Sequence, residues 1–144
     1  MILVVESDAF YLCEPKSRSR AGGYHYMGNR SDLDKRPDTV NGAIDCISCI
    51  IKSVVSSVAV AEYAALFLNG EIAMGLRKTL ADLNYPQPAT PIACDNAVAV
   101  GISKHTVRQR RTKAIAMRFD WIQDRVDDRE FTVKWFAGVP NLAD

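Results

Sequence analysis

The chain has 144 residues, 48% apolar and 24% charged, with 18 basic and 17 acidic side chains and a net charge of +1. That describes one ordinary globular domain spanning 1–144, able to bury about 68–70% of its unfolded surface. A balance so close to neutral excludes attraction of the chain as a whole to nucleic acid.

No apolar stretch approaches the roughly 20 residues of a membrane span. The opening MILVV meets Glu6 and Asp8 too soon for a signal peptide. The expectation is an intracellular protein, in cytoplasm or nucleus, neither secreted nor membrane-bound and monomeric in isolation. Its four cysteines are then expected as reduced thiols.

In chain order, residues 1–12 are rich in β-branched residues and predict a buried strand. Pro15, Ser17, Ser19 and the pair Gly22-Gly23 predict a turn, followed by a second strand over 24–28. A polar loop ends in Asn41-Gly42, a hairpin signal, and a third strand is expected from Ala43. That strand carries Cys46 and Cys49. Side chains three apart on a strand point to opposite faces, and no histidine is near, so zinc is not expected and the thiols are expected to fill the core.

From Ser56 or Ser57, either a suitable N-cap, the chain runs to Asn84 without proline. Val58, Ala61, Ala65, Leu68, Ile72, Leu76, Leu80 and Leu83 predict one apolar helical stripe, with Gly70 and Gly75 as places for a bend or break. Residues 91–94 predict a short strand ending at Asp95, and 96–103 a short helix. Ile115, Phe119, Ile122 and Val126 predict an amphipathic helix to about Asp128. Residues 130–136 alternate as a last strand, and the closing VPNLAD reads as a turn and the first step of a helix that the chain does not complete. Three sequential strands followed by alternating helix and strand predict an α/β fold, a mixed sheet flanked by helices.

Four acids stand out from the rest. Asp8 interrupts a predicted buried strand, Asp95 ends another, Glu62 lies near the first turn of the long helix, and Asp144 ends the chain. Carboxylates beside a core share a cation or a cationic partner, and Mg²⁺ suits an all-oxygen ligand set. Two such ions about 3.5–4 Å apart can hold the attacking water and the leaving oxygen of a phosphodiester. Surface or helix-capping acids are the alternative.

Six short motifs bear on this choice: Ser7-Asp8-Ala9, Gly22-Gly23-Tyr24, Ser56-Ser57 with Ala61-Glu62-Tyr63, Cys94-Asp95-Asn96, Arg111-Thr112-Lys113 and Leu142-Ala143-Asp144. In this order and spacing the chain resembles the ribonuclease H domain of copia-type retrotransposon polyproteins. The resemblance implies a ribonuclease H-like fold, with a five-stranded mixed sheet whose first three strands are antiparallel. It implies metal-dependent hydrolysis of the RNA strand of an RNA/DNA hybrid, with Mg²⁺ or Mn²⁺. It makes Asp8, Glu62 and Asp95 the central catalytic metal ligands and Asp144 the fourth, more peripheral one. In the implied arrangement Asp8 and Asp95 hold one ion, Asp8 and Glu62 the second, and Asp144 steadies the first. A reverse transcriptase domain of the same polyprotein is the implied protein partner.

The chain departs from that family in places. Val60 stands where many relatives carry a second acid, and Ala114 and Ala116 stand where relatives often have His and Asp. The stretch 135–141 lacks the histidine that some ribonucleases H place before the last aspartate, which predicts slower turnover. A catalytically weak or inactive remnant that binds nucleic acid or protein is therefore the alternative function.

Residues 104–118 hold six basic side chains and no acid. Within this stretch Arg110, Arg111 and Lys113, together with Asn96, are the candidate nucleic-acid contacts, the three cations as a phosphate rail. A solvated loop and first helical turn is the bland reading of the same residues. Trp121 and Trp135 are candidates for stacking on nucleic acid or for half-buried packing.

Overall fold

Ile2–Glu14 forms strand β1, the middle of a five-stranded sheet. β2 (Arg18–Gly28) pairs antiparallel with β1, and β3 (Thr39–Ile50) antiparallel with β2. On the other side β4 (Thr90–Cys94) pairs parallel with β1, and β5 (Phe131–Trp135) parallel with β4, giving the order β3-β2-β1-β4-β5. Helices α1 (Val58–Asp82), α2 (Ala97–Ser103) and α3 (Lys113–Asp127) complete the element order. This computed structural model describes residues 1–29, 39–105, 113–136 and 142–143, the side chains of 39, 40 and 113–115 excepted.

The predicted mixed sheet and its three antiparallel leading strands are both present. The parallel pairs have the physical signature of burial: all five residues of β4 are buried. Two apolar clusters form the core. The larger joins Leu3, Val5, Ile92 and Val133 of the sheet to Tyr63 and Leu66 of α1, Ile102 of α2 and Phe119 and Ile122 of α3. The smaller joins Ala21 to Ile51, Val55, Val60, Ala61, Ala64 and Ala65. Each of the larger side chains contributes about 1.5–3 kcal/mol by leaving water.

Several local expectations are corrected. Gly22 and Gly23 do not form a turn but lie in the middle of β2, opposite Asp8 and Ser7. The chain reverses earlier, at 15–17, where Lys16 and Ser17 take left-handed φ of 62° and 54°. Asn41-Gly42 is not a hairpin turn either, because β3 begins at Thr39. The pair falls where the β2–β3 ladder is irregular, between Tyr26↔Ala43 and Gly28↔Thr39, so it serves a bulge rather than a reversal.

The cysteines are not core fillers as a group. On β3, an edge strand, Cys46 is exposed and Cys49 half-buried; Cys13, near the end of β1, is also exposed, and Cys94 alone of the four is buried.

Helix α1 is unbroken through Gly70 and Gly75, and Ser57 is its N-cap, accepting from the Val60 amide at 3.3 Å. Its buried face is broader than the predicted stripe. Residues 60–66 are all buried, while Val58 and Leu83 at the two ends are exposed. The reason is a second partner: α1 packs on the sheet and also on α3, where Tyr63 stacks on Phe119 at 4.1 Å between ring centroids. An 18-residue window of α1 reaches a mean hydropathy of 1.2, long and apolar enough by composition to cross a membrane. Packing against sheet and helix accounts for that apolarity.

Candidate active site

Parallel register brings two of the predicted acids together. β1 and β4 pair Ser7 with Cys94, so Asp8 and Asp95 each follow the same rung on adjacent strands. Neighbouring strands lie about 4.8 Å apart, which places these residues side by side at the carboxyl end of β4. Asp8 is buried and Asp95 exposed.

Glu62 comes from the first turns of α1. Its side chain is only 4% exposed, and its Oε2 has no hydrogen-bond partner. Ligand atoms of Glu62, Cys94 and Asp95 all lie within 4.8 Å of one another. Burial, followed by the charges of Asp8 and Asp95, pushes the Glu62 carboxyl up to about 8, against an opposing hydrogen bond from the Ala9 backbone. Burial likewise pushes the Cys94 thiol up to about 12, so it is protonated and neutral. An orphaned, buried carboxylate oxygen among like charges is the arrangement that a divalent cation relieves. The donor set at Asp8, Glu62 and Asp95 therefore fits Mg²⁺ or Mn²⁺.

The surroundings hold these groups in place. Asn96 caps α2, its Oδ1 accepting from the amides of Val98 (3.0 Å) and Ala99 (3.2 Å), which fixes the turn that leaves Asp95. From β5, the Trp135 indole donates to the Asp95 carbonyl at 2.8 Å and the Phe136 amide to the Cys94 carbonyl at 3.2 Å. Trp121 is partly buried against the core, edge-on to Phe67, whereas Trp135 is exposed.

Asn69, which sequence reasoning passed over, sets the seating of α1. Its Nδ2 reaches Ser7 Oγ (3.0 Å), the Gly22 carbonyl (2.9 Å) and the Ala65 carbonyl (3.0 Å), tying the helix to β1 and β2 beside Asp8. A polar side chain in an apolar helical run was the available signal. Gly23 makes room for it: a Cβ there would run into the Asn69 side chain and come within 2.8 Å of Ile47 Cγ1.

Near the end of the chain, the Leu142 amide donates to Glu6 Oε2 at 2.6 Å, and the Ala143 carbonyl packs directly over Gly22, the cross-strand partner of Asp8. Asp144 itself, Arg110 and Arg111, and the Lys113 side chain lie outside the described residues.

No family profile matches the chain. Over 140 residues it is 31% identical to the retrovirus-related Pol polyprotein from transposon TNT 1-94 of Nicotiana tabacum, covering 92% of this chain and 10% of that protein. The chain thus spans about a tenth of the length of this relative. Among solved structures, LC11-RNase H1 in complex with an RNA/DNA hybrid superposes with a TM-score of 0.64 at 13% identity, covering 97% of this chain and 88% of that one. A Prototype Foamy Virus protease-reverse transcriptase superposes with a TM-score of 0.56 at 15% identity, covering 95% of this chain and 17% of that one. The chain has the ribonuclease H fold, and its sequence is related to a segment of a retrotransposon Pol polyprotein.

Proposed function

We propose that this chain is a retrotransposon-derived, metal-dependent endoribonuclease that hydrolyses the RNA strand of RNA/DNA hybrids. The observation that carries the reading is the convergence of buried Glu62 with Asp95 and Asp8, leaving a carboxylate oxygen unsatisfied at the carboxyl end of β4. The fold supports it, and so does a structural neighbour solved with an RNA/DNA hybrid.

Asp8, Glu62 and Asp95 would hold Mg²⁺ or Mn²⁺, with Asp144 as the fourth, peripheral ligand. When bound, such ions supply Lewis-acid activation of water and neutralise charge developing on the phosphate. The chain's own contribution is placement. Glu62 is held rigid by burial, Asp8 by the strand ladder, and Asp95 by the Asn96 cap and the Trp135 hydrogen bond. Solvent-facing Asp95 leaves the substrate side open, while Cys94 and the core close the other side to water.

Arg110, Arg111 and Lys113 would track the phosphate backbone, with Asn96 contacting it at the edge of the site. The exposed Trp135 ring would lie against the bound strand beside Asp95. Hybrid selectivity would come from groove width and 2′-hydroxyl contacts, with little sequence preference. A reverse transcriptase domain of the same polyprotein is the proposed partner, in keeping with the Pol relative and the foamy-virus neighbour.

The test is cleavage of an end-labelled RNA/DNA hybrid in Mg²⁺, with Asp95→Asn beside it. Cuts confined to the RNA strand, abolished by EDTA and by the substitution, are expected. A folded sample inert in both Mg²⁺ and Mn²⁺ would overturn the enzymatic reading and leave a binding module.

A further inference from the structure

We infer that Glu6 is a positioning residue: its buried carboxylate clasps the chain at Leu142 and thereby tethers Leu142 and Ala143, the residues that precede Asp144 in sequence, beside Asp8. The inference rests on the proposal above that Asp144 is the fourth ligand.

Glu6 lies two residues before Asp8 on β1, and so on the same face of the sheet. At 1% exposure it is as buried as any core side chain, an expensive place for a carboxylate unless its oxygens are used. Both are. Oε1 accepts from the Tyr26 hydroxyl at 3.4 Å, and Oε2 accepts from the Leu142 amide at 2.6 Å, a bond across 136 positions of sequence. The second is the shorter of the two.

The next residue is seated as well. The Ala143 carbonyl packs over Gly22, which pairs with Asp8 across the β1–β2 ladder. Two consecutive residues of the C-terminal segment are therefore held by two residues that bracket Asp8, one along its strand and one across from it. Asp144 follows immediately in sequence. Glu6 contributes an acceptor and a charge to this seat. Glutamine would keep the acceptor and lose the charge, whereas leucine would lose both.

The experiment uses the full chain, unsubstituted and as Glu6→Leu, Glu6→Gln, Asp144→Asn and the double variant Glu6→Leu with Asp144→Asn. Exchange protection of the Leu142 amide is read by NMR, and Mn²⁺ affinity by titration without substrate. Glu6→Leu should lose Leu142 protection at least about tenfold and weaken Mn²⁺ binding to the same degree as Asp144→Asn, roughly tenfold. Glu6→Gln should recover most of both. The double variant should bind Mn²⁺ no worse than Asp144→Asn alone, because the clasp acts through that residue.

Unchanged Leu142 protection in a folded Glu6→Leu protein, or losses that multiply in the double variant, would overturn the inference. An Asp144→Asn protein with unaltered Mn²⁺ affinity would instead remove Asp144 from the metal site, while the exchange data still decide whether the clasp exists. Should Glu6→Leu not fold, Gly22→Ala attacks the same seat by driving a methyl into the Ala143 carbonyl. Retained Leu142 protection in that variant would count against the clasp.

Discussion

The indole N–H of Trp135 donates to the main-chain carbonyl of Asp95 over 2.8 Å, while the ring itself stays 52% exposed. A large apolar ring left in water but fixed in orientation is prepared to meet a ligand, since little side-chain freedom remains to be lost on binding. The other tryptophan, Trp121, is partly buried and packs against Phe67, Phe131 and the Arg125 guanidinium.

Hybrid binding in EDTA should therefore change the fluorescence of Trp135 and leave a constant background from Trp121. Trp135→Ala should weaken binding on the order of tenfold, in the range of aromatic contacts to nucleic acid. Trp135→Phe should fall between the two, keeping a ring but losing the hydrogen bond. Equal affinities for all three proteins would show that the exposed indole does not touch the substrate.

Glu62 predicts a pH dependence of stability with a definite sign. Its carboxyl sits at about 8 in the folded protein against an ordinary value of 4.5, because burial and then the charges of Asp8 and Asp95 disfavour ionisation. Between these values the native state holds a proton that the unfolded chain has released. Stability of the metal-free protein should thus fall as pH rises from about 4.5 to about 8, by on the order of 2–4 kcal/mol. Urea unfolding in EDTA at pH 5 and pH 8 measures the slope. Glu62→Gln should flatten it and be the more stable protein at pH 8, and Mg²⁺ at pH 8 should restore stability to the unsubstituted chain alone. An identical slope in both proteins would place the titration elsewhere.

Asn69 and Gly23 are two halves of one fitting. Removing the amide by Asn69→Ala strips donors from Ser7 Oγ and the Gly22 carbonyl in a buried setting, at a cost of about 2–4 kcal/mol. Gly23→Ala should cost about as much by forcing a methyl into the Asn69 side chain and Ile47. Denaturant midpoints test both. Losses that simply add in the double variant would mean the two residues act independently.

Gly75 offers a contrasting outcome. It lies within α1, exposed, with nothing inside 4 Å of where a Cβ would stand. Gly75→Ala should stabilise the protein by about 0.5–1 kcal/mol, seen as a rise of roughly 2–4 °C in Tm. A loss of stability would mean that the helix needs local freedom at this point.

Much of the architecture was legible in the order of residues alone. A β-branched run marked β1, 4-3-4 spacing marked α3, Ser56 or Ser57 marked the start of α1, and a short strand was seen to end at Asp95. These features depend on neighbours a few positions apart, and local sterics and side-chain periodicity act over that range. The six motifs likewise include Asp8, Glu62 and Asp95, which the fold brings near one another at the carboxyl end of β4.

What the sequence could not determine lies in pairings between distant positions. Gly22-Gly23 reads as a turn by composition, yet it is strand, because Asn69 and Ala143 need the space that a side chain would fill. Glu6 looks like a misplaced charge until Leu142 arrives to meet it, and Trp135 reads as either a stacking or a packing residue until its indole finds Asp95. Whether two carboxylates become neighbours rests on the Ser7–Cys94 rung, 87 positions apart in the chain. Such contacts are chosen by the packing of the whole sheet and its helices, which a pattern spanning a few residues does not specify.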